Sequence, residues 1–183
     1  QKKRSNKQIE KLKTEVAAIV EENKKQSQVM VDKIFSFSEL GFQEIESSKY
    51  LTGILAENGF EIENSISGIP TASQYPGVAY HKPIVEGAPG HGEGHNSGIP
   101  MNISSALAVK KIMERENIGG TLLVWPGIAE ELVAAKAWYV RDGRFDDIDM
   151  CIFTHVGNNL GVSYGPTRGT GLISVEYAFD GEA

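Results

Sequence analysis

Helical and strand-like hydrophobic patterns alternate between residues 102 and 154, and this alternation constrains the fold more than any single residue does. Residues 102–116 read as a helix, with Ala106, Leu107, Val109, Ile112 and Met113 available for packing. Gly119-Gly120 ends that segment, and residues 121–125 form an apolar run of the kind found in a buried strand. A further helix is predicted over 129–141, closed by Asp142-Gly143, and a second buried strand over 149–154. Residues 171–179 read as a third strand. Such an order predicts an α/β fold, a sheet flanked by helices, with ligands collecting beyond the carboxyl ends of the strands.

Upstream, residues 5–35 read as helix, from Ile9, Leu12, Val16, Ile19, Val29, Met30 and Ile34 spaced among Lys, Glu and Gln. Glu21-Glu22-Asn23-Lys24-Lys25 interrupts it with charge. A second helix is predicted over 43–58, with Gly59 as its stop, followed by a strand-like alternation over 60–66. Residues 67–100 hold five of the seven prolines, which predicts a long loop, and long loops in compact domains are commonly functional or disordered. The expected division is an N-terminal helical segment over 1–35 and an α/β domain over 36–183.

Composition narrows the function classes. The 183 residues carry a formal net charge of −6, which argues against nucleic acid as the main partner. No apolar run approaches the ~20 residues of a membrane span. The single cysteine, Cys151, forms no intrachain disulfide and lies in the apolar run Met150-Cys151-Ile152-Phe153, so a buried core thiol is expected. The first residue is Gln1, as in a processed, truncated or engineered chain, so a cytoplasmic location and export after signal removal both fit.

Within the long loop lies Gly90-His91-Gly92-Glu93-Gly94-His95-Asn96. Two imidazoles and a carboxylate alternate with glycines that let the backbone bend around an ion. On an extended backbone, positions two apart point the same way, so all three could face one site. A polar, glycine-rich surface loop is the competing reading, because the spacing is not a closed zinc-finger pattern. Glu130-Glu131 has a similar ambiguity: adjacent acids suit the dipole at a helix start, yet near metal one could ligate while the other takes a proton. His155 directly follows the predicted strand 149–154, and Glu130-Glu131 follows the strand 121–125 after Pro126-Gly127. Both fall where an α/β sheet binds its ligands. His81 has no such support and reads as a loop residue. Trp125 and Trp138 read as packing groups, core or half-buried.

Together these residues resemble the zinc-dependent amidohydrolases of the aminoacylase and carboxypeptidase superfamily, in particular the aminobenzoyl-glutamate hydrolase type. The matching segments are Glu39-Leu40-Gly41-Phe42-Gln43-Glu44, the glycine-spaced run 90–96, Ala129-Glu130-Glu131, Phe145-Asp146-Asp147-Ile148-Asp149 and Thr154-His155. The resemblance implies a catalytic domain with two divalent metal ions, zinc first and manganese second, and a smaller lid domain that also mediates homodimers. It implies that Glu93, His95, Glu131 and His155 are metal ligands. It assigns Glu130 as the general base on a metal-activated water. The role of His91 stays open. The substrate class implied is an N-acyl amino acid or a small peptide, cleaved at its amide bond.

Three departures stand beside the resemblance. Related enzymes often carry cysteine where this chain has Glu93, and a harder oxygen ligand shifts metal preference from zinc towards manganese. The stretch around residues 71–73 is short of a strand and an acidic loop, which predicts an open sheet edge. The residues through Ala183 include no lid histidine and no last ligand histidine, so the lid domain is expected to be missing. The alternative function is therefore a catalytically incomplete fragment or remnant that serves as a metal-binding or interaction module.

Overall fold

The computed structural model describes residues 4–37, 39–41, 43–63, 94–127, 129, 135–157, 160–162, 165, 175, 177–179 and 181. Five helices account for its regular structure: α1 (Asn6–Glu22), α2 (Lys24–Phe37), α3 (Ile45–Glu57), α4 (His95–Arg115) and α5 (Ala135–Arg141). The expected N-terminal helix is two helices, parted at Asn23 inside the charged interruption. Ser5 begins α1 with a capping box: its hydroxyl accepts from Gln8 N–H, and the Gln8 side chain accepts from Ser5 N–H at 2.8 Å. Gly59 ends α3 in the left-handed conformation, φ +74°. There Gly59 N–H donates to Ala56 and Phe60 N–H to Leu55, the paired bonds that satisfy the last carbonyls of a helix.

The core lies between α2, α3 and α4. Met30 and Ile34 from α2, Leu51 and Leu55 from α3, and Ile103 from α4 are all buried and packed together. α4 also packs along α1, where Glu15 pairs with Arg115, and Arg4 donates to the Glu116 carbonyl at 2.9 Å. Ser27 and the buried Ser104 share a 2.6 Å hydrogen bond across the α2–α4 contact, so neither hydroxyl is lost to the core.

The predicted α/β architecture is not what the structure shows. Among the described residues there are helices and no strand, so the sheet flanked by helices is corrected to a helical assembly carrying irregular segments. A strand needs a neighbour to take its backbone hydrogen bonds, and these segments form no ladder among the described residues. The apolar alternation nevertheless reports burial. Phe60 and Ile62 pack on the core while Glu61 and Glu63 face water; in the apolar run 121–125, expected to be buried, Val124 packs there but Leu123 is exposed. Residues 149–154 depart further. Met150 and Ile152 are each 75% exposed, and Cys151, expected in the core, is exposed as well. The predicted strand 171–179 is described only in part, and Val175, Tyr177 and Phe179 there are exposed.

Two helix boundaries also differ. α4 begins at His95, before the expected Asn102, and runs through Pro100. Proline within a helix gives up one N–H bond, here the one to Asn96, and the buried Pro100 ring offsets this by packing. Of the expected helix 129–141, residues 130–134 lie outside the described residues, and α5 takes Ala135–Arg141. Its buried Tyr139 meets Trp125 at 5.7 Å, and Phe145 closes on Trp125 at 4.7 Å, edge to face. Trp125 is thus a half-buried packing group. Trp138 is exposed and has the Arg141 guanidinium 4.7 Å over its ring.

Candidate metal centre

The site begins at Gly94, which occupies the N-cap of α4 with φ +87°. Ser97 donates both its N–H (2.9 Å) and its hydroxyl (2.6 Å) to the Gly94 carbonyl, closing the first turn. The irregular segment 153–156 lies against this turn. A Cβ on residue 94 would stand 2.7 Å from Val156 Cγ2, and one on Gly98 would stand 3.6 Å from Thr154 Oγ1. Thr154 in turn donates to Asn102 at 3.1 Å. Glycine at 94 therefore answers two demands at once, a left-handed backbone and room for a neighbouring chain segment.

That contact brings two predicted ligands together. The His95 and His155 rings stand edge to face with centroids 5.5 Å apart. His95 opens α4, and its Nε2 is withdrawn from solvent. His155 Nδ1 lies 2.8 Å from the Val156 carbonyl. A carbonyl only accepts, so this bond calls for a proton on Nδ1; in the neutral imidazole Nε2 is then the nitrogen that can ligate a metal. Phe153 lies beside His155, with ring centroids 5.9 Å apart, and Lys136 sits 5.0 Å over Phe153.

Glu93, Glu131, Glu130 and His91 lie outside the described residues. Among the described residues no group of three or more His, Cys, Asp or Glu converges in a way that could hold a metal ion. The two imidazoles fit the nitrogen half of a zinc-type donor set, and carboxylates would have to complete it. His95 itself lies in α4 rather than on the extended backbone expected through it, because Gly94 turns the chain into the helix.

A third relationship is not legible in the sequence. Glu39 accepts from Glu46 N–H and Ser47 N–H, both at 2.8 Å, and so caps α3 from outside the helix. Glu44 stands at the N-cap position but makes no side-chain cap bond to its own helix. Its carboxylate instead accepts from Ala129 N–H at 2.9 Å. Burial raises the Glu44 pKa, the Ala129 N–H opposes that rise, and the neighbouring Glu39 charge adds to it. Ala129 is buried and has φ +48°. The motif 39–44 carries the resemblance with no role attached, and only the fold gives its two acids separate tasks.

The chain is 29% identical, over 178 residues, to a subunit of the p-aminobenzoyl-glutamate hydrolase of Escherichia coli (strain K12). The match covers 84% of this chain and 37% of that protein. The chain thus spans little more than a third of the relative's length and is its distant homologue, an amidohydrolase-like likeness. No family model matches the chain, and no solved structure matches it.

Proposed function

We propose that this chain carries the metal-binding and base-bearing part of an amidohydrolase that cleaves the amide bond of an N-acyl amino acid or small peptide. The observation behind this is the pairing of His95 and His155, two residues distant in sequence whose rings meet at 5.5 Å. The distant hydrolase homologue supports the same reading and makes p-aminobenzoyl-glutamate the first substrate to try. His95 and His155, together with Glu93 and Glu131, would hold two divalent ions, zinc first and manganese second. Bound there, such ions polarise an amide carbonyl and lower the pKa of water. Glu130 takes the proton of the attacking water and hands it to the leaving amine.

The test is metal analysis joined to an amide-hydrolysis assay on the purified chain, with Glu130→Ala as control. A two-metal site gives about two ions per chain. Hydrolysis that survives Glu130→Ala removes Glu130 as the base.

A second reading has its own observation. Met150, Ile152, Phe153, Leu160 and Val162 are exposed apolar side chains in one stretch of sequence. Contiguous exposed apolar surface marks interaction sites. On this reading the chain is a catalytically incomplete module that binds metal or a partner, and in either case it does not hydrolyse the amide.

A further inference from the structure

We propose that Glu44 is a positioning residue for the acidic pair Glu130-Glu131, setting through Ala129 the direction in which the backbone enters it. This inference rests on the reading of Glu130 as base and Glu131 as ligand.

Three facts carry it. Ala129 directly precedes Glu130 in the chain, and its N–H is taken by Glu44 at 2.9 Å. Ala129 also has φ +48°, a conformation that a residue with a Cβ keeps only when its surroundings impose it. A charge-assisted bond from a half-buried carboxylate is such an imposition. Finally, Glu44 is available for the task because Glu39 does the capping. An acid at an N-cap position ordinarily accepts from its own first turn. Here the Glu46 and Ser47 amides go to Glu39, and the Glu44 side chain reaches across 85 positions of sequence.

α3 is a sound anchor for such a reach. Leu51 and Leu55 fix it in the core against α2 and α4, the helix that bears His95. The same core thus braces both His95 and the backbone just before the proposed base. Catalytic groups must be held within a fraction of an ångström, and small misplacement is costly in rate.

The experiment compares Glu44→Ala and Glu44→Gln with the wild-type chain. It reads the Ala129 amide by 15N NMR and hydrogen exchange, Zn2+ affinity by calorimetry, and kcat and KM on p-aminobenzoyl-glutamate. Glutamine keeps an acceptor oxygen for Ala129 N–H; alanine does not. The expected result is that Glu44→Ala exposes the Ala129 amide to exchange, weakens Zn2+ binding at least ~10-fold and lowers kcat roughly 10- to 100-fold with KM little changed. Glu44→Gln is expected to recover most of each. Should Glu44→Ala unfold, Glu44→Asp, with its oxygens one methylene short, carries the same expectation. A wild-type chain that binds zinc or hydrolyses the amide, with Glu44→Ala indistinguishable from it, overturns this proposal alone. So does a Glu44→Gln as damaged as Glu44→Ala. A wild-type chain that neither binds zinc nor hydrolyses overturns the functional reading first, and this inference falls with it.

Discussion

His95 opens a helix and His155 lies on an irregular segment, yet their rings meet edge to face at 5.5 Å. The Val156 carbonyl holds Nδ1 of His155, so in the neutral imidazole Nε2 is the ligating nitrogen. If the pair binds metal, His95→Ala and His155→Ala should each weaken Zn2+ affinity by roughly 100-fold, the upper scale already reached when only outer-shell partners are lost. His81→Ala, a histidine given no role, should leave it unchanged. Competition with a chromophoric chelator measures all three. Equal affinity in wild type and His155→Ala would remove the pair from the metal site.

Gly94→Ala should destabilise the fold by about 2 kcal/mol, combining left-handed strain with a clash in a filled site. The added Cβ would lie 2.7 Å from Val156 Cγ2. Val156→Ala in the same chain should return part of the loss, because it relieves the clash and leaves the strain. Urea melts of the two single variants and the double variant separate the terms. A fully additive double variant would mean that Gly94 and Val156 are not in contact.

How much of the fold is legible in the sequence depends on which force decides each element. Helical periodicity locates α1 to α4, and Gly59 marks the stop of α3, because those signals are local. Alternation at residues 60–63 forecasts which side chains turn inward, but neither it nor the apolar run 121–125 says whether a neighbouring strand exists to complete a ladder. That is a property of distant chain, so a sheet is expected where only burial is encoded. Pro100 misleads in the other direction: a proline reads as a boundary, yet a buried ring can be carried inside a helix. His95 and His155 are legible as candidates by residue type, and their meeting requires the close approach at Gly94. Glu44 gives no signal, because Glu, Gln and Asp all occur at helix starts and nothing local names Ala129.

The shared core supports a quantitative expectation. Ile103 is fully buried between Met30, Ile34, Leu51 and Leu55, and it sits on the helix that begins with His95. Ile103→Ala should cost about 2–5 kcal/mol, the range for deleting a buried branched side chain. Lys13→Ala, on the exposed face of α1, should cost well under ~1 kcal/mol, since its pairing with Glu10 is a surface contact. Chemical denaturation checks both, and a cost at Ile103 as small as that at Lys13 would contradict the packed core.

Glu44 makes stability depend on pH in a definite direction. Burial raises its folded pKa above that of an exposed glutamate, against the opposing pull of Ala129 N–H, and the Glu39 charge adds to the rise. A raised carboxyl pKa means that the folded chain holds its proton more tightly than the unfolded chain. The contribution of Glu44 to stability is therefore fully present below the ordinary value of about 4.3, and it is lost as pH climbs through the raised folded value. Glu44→Gln has no proton to lose there. Its stability relative to wild type should accordingly rise with pH across that window and level off above it. Urea melts of both proteins at stepped pH measure the difference. A difference that is flat, or that falls as pH rises, would mean that the Glu44 carboxylate is not held in a site that disfavours its charge.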